Sequence, residues 1–168
     1  MPGTKRIATL AGALFAVSVA QAQTPAPKPP PGCTAPEHRA FDFWVGTWNV
    51  TAKGKPAGTN RISSDLKGCV LVEEWKSAGG NRGTSLNFYD RNTKSWHQTW
   101  MDEVGNALHL KGGLRDGRMV MESDPASVVR QRITWSREPD GGVRQLWESS
   151  KDGGKSWTTV FDGLYVRQ

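Results

Sequence analysis

Turn-forming residues recur at intervals of about eight to twelve residues from Gly46 onward. Glycine, asparagine, aspartate and proline dominate these positions, because they reverse the chain at little conformational cost. The turns are Gly54-Lys55-Pro56, Ala78-Gly79-Gly80-Asn81, Asp90-Arg91-Asn92, Gly105-Asn106, Asp116-Gly117, Asp140-Gly141-Gly142 and Asp152-Gly153-Gly154. This spacing leaves room for short strands and not for long helices, so it predicts an antiparallel meander.

The segments between the turns predict about ten strands. Their expected bounds are 47–53, 59–66, 69–77, 82–89, 95–102, 106–112, 118–123, 129–137, 143–150 and 157–166. An open sheet would leave two unpaired edges, and closure into a barrel removes both. We therefore expect an all-β, antiparallel, up-and-down barrel, with a sandwich as the alternative. An outer-membrane barrel is not expected, since strand 59–66 is too polar to face lipid.

The first 22 residues have the three parts of a secretory signal peptide. Lys5 and Arg6 precede an apolar run over 7–19, and Ala20-Gln21-Ala22 supplies the small residues of a cleavage site. The apolar run is too short to span a bilayer as a helix. We therefore expect a periplasmic or secreted protein that begins near Gln23 and does not insert into the membrane.

Residues 23–33 are rich in proline, and this composition predicts an extended linker rather than part of a domain. A single domain is expected over 34–168. Thr34 and Glu37 have the spacing of a helix capping box. The residues that follow place one apolar face on a short N-terminal helix, which Gly46 is expected to end; they are Ala40, Phe41, Trp44 and Val45.

The predicted mature chain contains two cysteines, Cys33 and Cys69. An isolated pair in an oxidising compartment usually forms a disulfide. Two unpaired buried thiols are the alternative. A catalytic redox pair is not expected, because the usual C-x-x-C spacing is absent.

Charge argues against nucleic acid as a partner. The chain has 22 basic and 16 acidic residues, and two of the basic residues belong to the predicted signal peptide, which leaves 20 against 16. The resulting net charge of about +4 is scattered along the chain instead of forming the basic cluster that nucleic-acid binding needs.

No sequence motif predicts catalysis, a metal site or a cofactor. The chain lacks a G-x-S-x-G elbow, and His38, His97 and His109 do not have metal-ligand spacing. The adjacent carboxylates Glu73 and Glu74 point to opposite faces of a strand, so they cannot act as an acid/base pair. A haem-binding barrel with His97 or His109 as axial ligand is kept as an alternative.

Residues 150–157 match S-x-D-x-G-x-x-W, a box that also occurs in sialidases. A single copy predicts a structural hairpin and not a glycosidase. A second hairpin of similar design is expected over 89–96, with Asp90 binding the amides of its turn.

Gly46-Thr47-Trp48 opens the first predicted strand and Arg167 ends the last, as in lipocalin-like barrels. The segments 41–50, 60–62, 68–75, 83–90, 96–100 and 150–167 together resemble an exported bacterial family of lipocalin-like (calycin-type) barrels, a domain of unknown function. The resemblance covers residues 33–168. It implies that Trp48 closes one barrel end beneath a basic side chain, and it brings no catalytic residues.

Strand alternation predicts which side chains share a face. One such face mixes aromatic rings with amides and a carboxylate, which is typical of a pocket for a small, partly apolar molecule. The predicted ligand-binding residues are Glu73, Trp75, Asn87, Tyr89, Trp96, Gln98, Trp100, Gln145 and Trp147. The alternative is that the tryptophans only fill the barrel. Arg132 is expected on the outside, or reaching inward as an anion anchor.

These patterns predict an exported small-ligand-binding barrel. A different class of function is also kept: an envelope protein-interaction or inhibitor module, whose loops would block a partner protein.

Overall fold

The computed structural model describes residue 3 and residues 32–168. Apart from Gly3, the predicted signal peptide lies outside the described residues, as does the predicted linker up to residue 31. Ten strands are present: β1 (Gly46–Ala52), β2 (Lys55–Asp65), β3 (Val70–Ser77), β4 (Arg82–Asp90), β5 (Ser95–Asp102), β6 (Ala107–Arg115), β7 (Arg118–Glu122), β8 (Arg130–Arg137), β9 (Val143–Ser150) and β10 (Thr158–Arg167). Each corresponds to one predicted strand.

The largest difference in strand bounds is at the start of β2, which begins at Lys55. The predicted turn Gly54-Lys55-Pro56 is wrong, because Lys53 and Gly54 alone reverse the chain. Both have positive φ angles, of 51° and 72°. Two consecutive residues of this conformation are typical of the tight turns that match the twist of paired strands.

The strands form one closed antiparallel barrel in which each pairs with its neighbours in sequence. Pairing of β1 with β10 completes the closure, with Trp48 opposite Arg167 and Val50 opposite Tyr165. The predicted up-and-down barrel is confirmed, and the sandwich alternative is wrong. The architecture is consistent with a calycin-like fold.

The N-terminal helix is shorter than its apolar pattern predicts. Helix α1 covers Pro36–Arg39, and a 3₁₀ turn follows over Asp42–Trp44. The predicted capping box is wrong, since Ala35 is the N-cap residue and no side chain caps the helix. A helix this short has little stability of its own, so tertiary packing decides its form.

Among the described residues, no helix is long and apolar enough to cross a membrane.

The N-terminal segment closes one end of the barrel. Phe41 and Trp44 are fully buried and stack at 5.0 Å between ring centroids. Phe41 also contacts Trp96 and Trp135, at 5.6 and 5.1 Å. We call this the closed end. Because the strands alternate in direction, the loops 53–54, 78–81, 103–106, 123–129 and 151–157 surround the opposite, open end.

The predicted disulfide between Cys33 and Cys69 is confirmed, and the described residues contain no free cysteine. It joins the segment before α1 to the 3₁₀ turn Leu66–Gly68 between β2 and β3. The bond therefore holds the closing segment against the barrel, and it fits an extracellular or periplasmic protein.

The two predicted hairpin turns are organised by aspartates. Asp152 accepts hydrogen bonds from the Ser156 and Lys155 amides at 2.9 and 3.0 Å. The Ser156 hydroxyl also donates to Asp152. This bond has the largest effect and, together with the amide bonds, holds the pKa of Asp152 well below its ordinary value. Asp90 likewise accepts from the Asn92 amide at 2.8 Å. Both segments have the geometry of structural turns.

Candidate functional site

The inner face of the barrel collects the residues that the alternation pattern singles out. Glu73 lies opposite Ser85, and Ser85 lies opposite Trp100 across β3, β4 and β5. All nine predicted ligand-binding residues follow this inward alternation. They share a face because successive side chains of a strand point to opposite sides of the sheet.

A cavity of about 240 Å³ occupies the barrel toward its open end. Six of the nine predicted residues line it: Glu73, Trp75, Gln98, Trp100, Gln145 and Trp147. The polar members Glu73 and Gln98 are buried, whereas the tryptophans are half-buried. The cavity thus has a polar floor and an aromatic rim.

The other three predicted residues lie nearer the closed end. Asn87 is fully buried below the cavity. The Trp96 indole donates to the carbonyl of Glu37 at 3.0 Å, and Tyr89 packs edge-on against His38. Trp96 precedes Trp100 by four residues, a distance of about 13 Å along a strand. Alternation predicts a shared face but not the depth at which each side chain lies.

Five further residues, none of them among the predicted ligand-binding residues, also line the cavity. Leu108, Ile133 and Tyr165 follow the inward alternation, so the same signal was available for them. Phe161 also follows this alternation, since it lies opposite Trp147, whereas Val160 is the extra residue at an irregularity of β10, where the register shifts between Thr159 and Phe161. This β-bulge brings two consecutive residues to the cavity, which a strict period of two cannot predict.

Glycines make room for the aromatic rim. A Cβ atom on Gly83 would lie 2.8 Å from Cζ2 of Trp100, and one on Gly58 would lie 2.7 Å from Cη2 of Trp75. Both distances are shorter than a normal contact. Because these positions are glycine, the indoles pack close to the barrel wall and leave the interior open.

Hydrogen bonds fix the Glu73 carboxylate at the cavity floor. The Ser85 hydroxyl donates to Glu73 Oε2 at 2.5 Å, and Asn60 Nδ2 donates to Glu73 Oε1 at 2.7 Å. Asn60 was not among the predicted residues. Its partner is 13 positions away in sequence, so only the pairing of β2 with β3 reveals this contact.

The hydrogen bonds continue on both sides of Glu73. Gln98 Nε2 donates to Asn87 Oδ1, and Asn87 Nδ2 donates to the Ser85 hydroxyl, each at 2.8 Å. On the other side, Asn60 Nδ2 also donates to the Tyr165 hydroxyl at 3.4 Å, and that hydroxyl donates to Gln145. A connected network of this kind holds its members in one arrangement. We call these side chains the floor network: Asn60, Glu73, Ser85, Asn87, Gln98, Gln145 and Tyr165.

Burial shapes the ionisation of two members of the floor network. Loss of solvent raises the pKa of Glu73, and the hydrogen bonds from Ser85 and Asn60 oppose that shift. Burial and the nearby Glu73 charge raise the pKa of Tyr165 well above its ordinary value, although the Asn60 hydrogen bond opposes the shift. Tyr165 is therefore a neutral phenol at physiological pH.

Two histidines that the sequence analysis kept as haem ligands lie on the outer face. His97 stacks on Phe88 with 5.4 Å between ring centroids, and His109 lies 3.2 Å from the Thr99 hydroxyl. The expectation that either ligates haem inside the barrel is wrong, because the alternation that points Gln98 inward points both rings outward. No cluster of three potential metal ligands occurs among the described residues.

Arg132 also lies outside the barrel. It pairs with Glu148 at 2.9 Å and lies over the Trp157 ring, with its guanidinium carbon 4.0 Å from the centroid. The alternative of an inward anion anchor is therefore wrong, and the expected outer position is confirmed.

No protein-family model matches the chain, and no curated protein matches it significantly. The likeness to the exported lipocalin-like family therefore depends on the sequence segments given above and on the barrel architecture.

Proposed function

We propose that this protein binds a small, partly apolar molecule in the open half of its barrel. The observation that supports this best is the composition of the cavity, which combines half-buried aromatic walls with a buried, hydrogen-bonded floor. Ligand sites in proteins typically combine apolar lining with a few well-placed polar groups. A core that serves only packing is usually apolar, because burying amides, a carboxyl group and a phenol costs free energy that their hydrogen bonds must offset.

The cavity volume of about 240 Å³ restricts the size of the ligand. Pockets for drug-sized ligands have volumes of about 300–1,000 Å³, so a fully enclosed ligand would be smaller. Val160, which is 50% exposed, borders the cavity at the open end. A longer molecule would project from this end into solvent.

Binding, rather than catalysis, is proposed because of the titratable groups available. Of the described residues that line the cavity, only Glu73 and Tyr165 titrate, and Tyr165 remains protonated. We further propose that the protein is an exported member of the lipocalin-like family and works in the periplasm or outside the cell. The signal-peptide pattern and the disulfide support this location.

A ligand screen tests the proposal. Fatty acids, quinones and small aromatics are added to the purified protein, and tryptophan emission and the melting temperature are recorded. A ligand at a hundredfold excess over its Kd should stabilise the protein by about 2.7 kcal/mol. Trp100→Ala should weaken binding because it removes part of the rim. Thr99→Ala is the matched control, since Thr99 lies beside Trp100 on the outer face.

Absence of any emission change or thermal shift across the screen would contradict the proposal. It would favour the protein-interaction or inhibitor module. The first surface to mutate would then be the loops at the open end, where Val104 and Val128 are exposed.

A further inference from the structure

We propose that the ligand of this cavity carries a positively charged nitrogen, which pairs with Glu73 at the floor. This inference deepens the proposed function and rests on it. The expected ligand class is an amine or quaternary ammonium compound with a small apolar body.

Glu73 is a buried acid without a basic partner. Its exposed fraction is 5%, and none of the ion pairs found among the described residues includes it. The next residue, Glu74, points outward and pairs with Arg61 at 2.9 Å. Buried carboxylates are normally paired, because the charge loses its hydration. A cation in the cavity would supply the missing partner.

The carboxylate has room for such a partner. Ser85 donates to one oxygen of Glu73 and Asn60 to the other. An ionised carboxylate has about four acceptor sites, so two protein donors leave part of its capacity unused. Because Glu73 borders the cavity, a ligand nitrogen can reach it there. Burial raises the pKa of Glu73, and the two donors oppose that shift because they favour the charged form; a cation beside the carboxylate would oppose it further.

The walls of the cavity suit a cation and disfavour an anion. Four aromatic residues surround the space above Glu73: Trp75, Trp100, Trp147 and Phe161. The faces of aromatic rings attract cations, and tryptophan does so most strongly. No lysine, arginine or histidine is among the described residues that line the cavity. An anionic ligand would therefore meet the Glu73 charge without a compensating base.

Three probes of similar shape and different charge test the inference. They are 2-phenylethylamine, 2-phenylethanol and phenylacetate, which are cationic, neutral and anionic at pH 7.5. Their affinities for the purified protein are measured by calorimetry. We expect the amine to bind at least about tenfold more tightly than the alcohol, an effect of the size reported for close charge pairs in binding sites. Phenylacetate should bind most weakly.

The variant Glu73→Gln isolates the charge, because the amide keeps the shape of the side chain. In this variant the preference for the amine over the alcohol should disappear, because the charge that distinguishes the two probes is gone. Glu74→Gln is the matched control, because it removes a carboxylate from the outer face of the same strand. The amine preference should survive in this control.

A pH titration of the unmodified protein provides a second readout that does not depend on folding of a variant. Affinity for the amine should fall as the pH is lowered through the pKa of Glu73, whereas affinity for the alcohol should not change. The nearest groups in the floor network are Asn60 and Ser85, which donate to Glu73, and Asn87 and Tyr165, which each hydrogen-bond to one of these donors. Of these only Tyr165 titrates, and it stays protonated over this range.

The outcomes separate this inference from the proposed function. Equal affinities for amine and alcohol, or an amine preference that persists in Glu73→Gln, would overturn the cation inference and leave binding in the cavity intact. Tightest binding of phenylacetate would also overturn it and indicate that Glu73 binds as a neutral acid. Failure of all three probes to bind would contradict the cation inference, whereas the proposed function is contradicted only if the wider ligand screen also shows no binding.

Discussion

The guanidinium carbon of Arg167 lies 4.4 Å from the centre of the Trp48 indole, which couples the last strand of the barrel to the first. The resemblance to lipocalin-like barrels implies this contact, and the structure confirms it. Gly46 is close to both side chains: a Cβ atom there would lie 2.6 Å from Arg167 Nη1. The absence of a side chain at Gly46 lets arginine cover the ring.

Replacing this arginine should weaken the closure of the barrel. Arg167→Ala is expected to lower the free energy of unfolding by about 0.5–1 kcal/mol, the usual strength of an exposed cation–π contact. Arg167→Lys should lose less, since it keeps a cation near the ring. Urea denaturation measures both variants. Unchanged stability in Arg167→Ala would show that the contact contributes nothing.

Removing the disulfide between Cys33 and Cys69 should destabilise the protein more strongly than Arg167→Ala does. The bond closes a loop of 36 residues, so Cys69→Ser combined with Cys33→Ser should lower the free energy of unfolding by about 2–4 kcal/mol. Urea denaturation provides the measurement. Adding a reductant to the wild type should reproduce the loss and should leave the double variant unchanged. Equal stability of the oxidised and reduced wild type would contradict the prediction.

Glu73→Gln should raise stability at neutral pH when no ligand is bound. The pKa of Glu73 is higher in the folded than in the unfolded chain because of burial. Between these two pKa values the folded protein binds more protons, so wild-type stability falls as pH rises through that window. Glutamine does not titrate, so the variant should not show this decrease in stability and should be more stable than the wild type at neutral pH.

Unfolding at several pH values between about 4 and 8 tests the effect, a range that begins near the ordinary pKa of a glutamate. Glu74→Gln is the control, because it exchanges an exposed carboxylate and should keep the wild-type decline with pH. A Glu73→Gln variant that is less stable than the wild type at neutral pH would contradict the prediction.

Gly83→Ala should narrow the cavity. The added methyl group would lie 2.8 Å from Cζ2 of Trp100, so the indole must move away from the wall. We expect weaker binding of any cavity ligand and a shift in tryptophan emission. Gly113→Ala is the matched control, because it adds the same methyl group to a strand where nothing lies within 4 Å. Equal binding by both variants would contradict the crowding argument.

Local patterns carried most of the information about the barrel. Turn residues such as Asp116-Gly117 mark where strands end, since few residues adopt the required backbone angles, here with φ of 49° and 76°. Alternation placed Glu73, Trp75 and Trp100 on one face because a strand has a fixed period of two. Both signals depend on neighbours in sequence, so they were readable without the fold.

Local sequence patterns gave wrong or incomplete predictions where contacts between distant segments determine the structure. The predicted capping box of Thr34 is absent because the helix begins at Pro36, with Ala35 as its N-cap residue. Packing of Phe41 and Trp44 in the closed end decides the conformation of this segment, since a short helix has little stability of its own. The register shift that brings Val160 to the cavity depends on how β10 pairs with β9. A strict period cannot anticipate such an irregularity.

The sequence by itself determined the number of strands, their antiparallel order, the cysteine pair and the inward faces, because turn chemistry and the strand period are local properties. Only the tertiary structure decided the height of each inward residue, and so which tryptophans border the cavity and which close the barrel. It also joined Asn60 to Tyr165, 105 positions apart, in the floor network around Glu73. Such contacts depend on the closure of the barrel, which brings distant strands together.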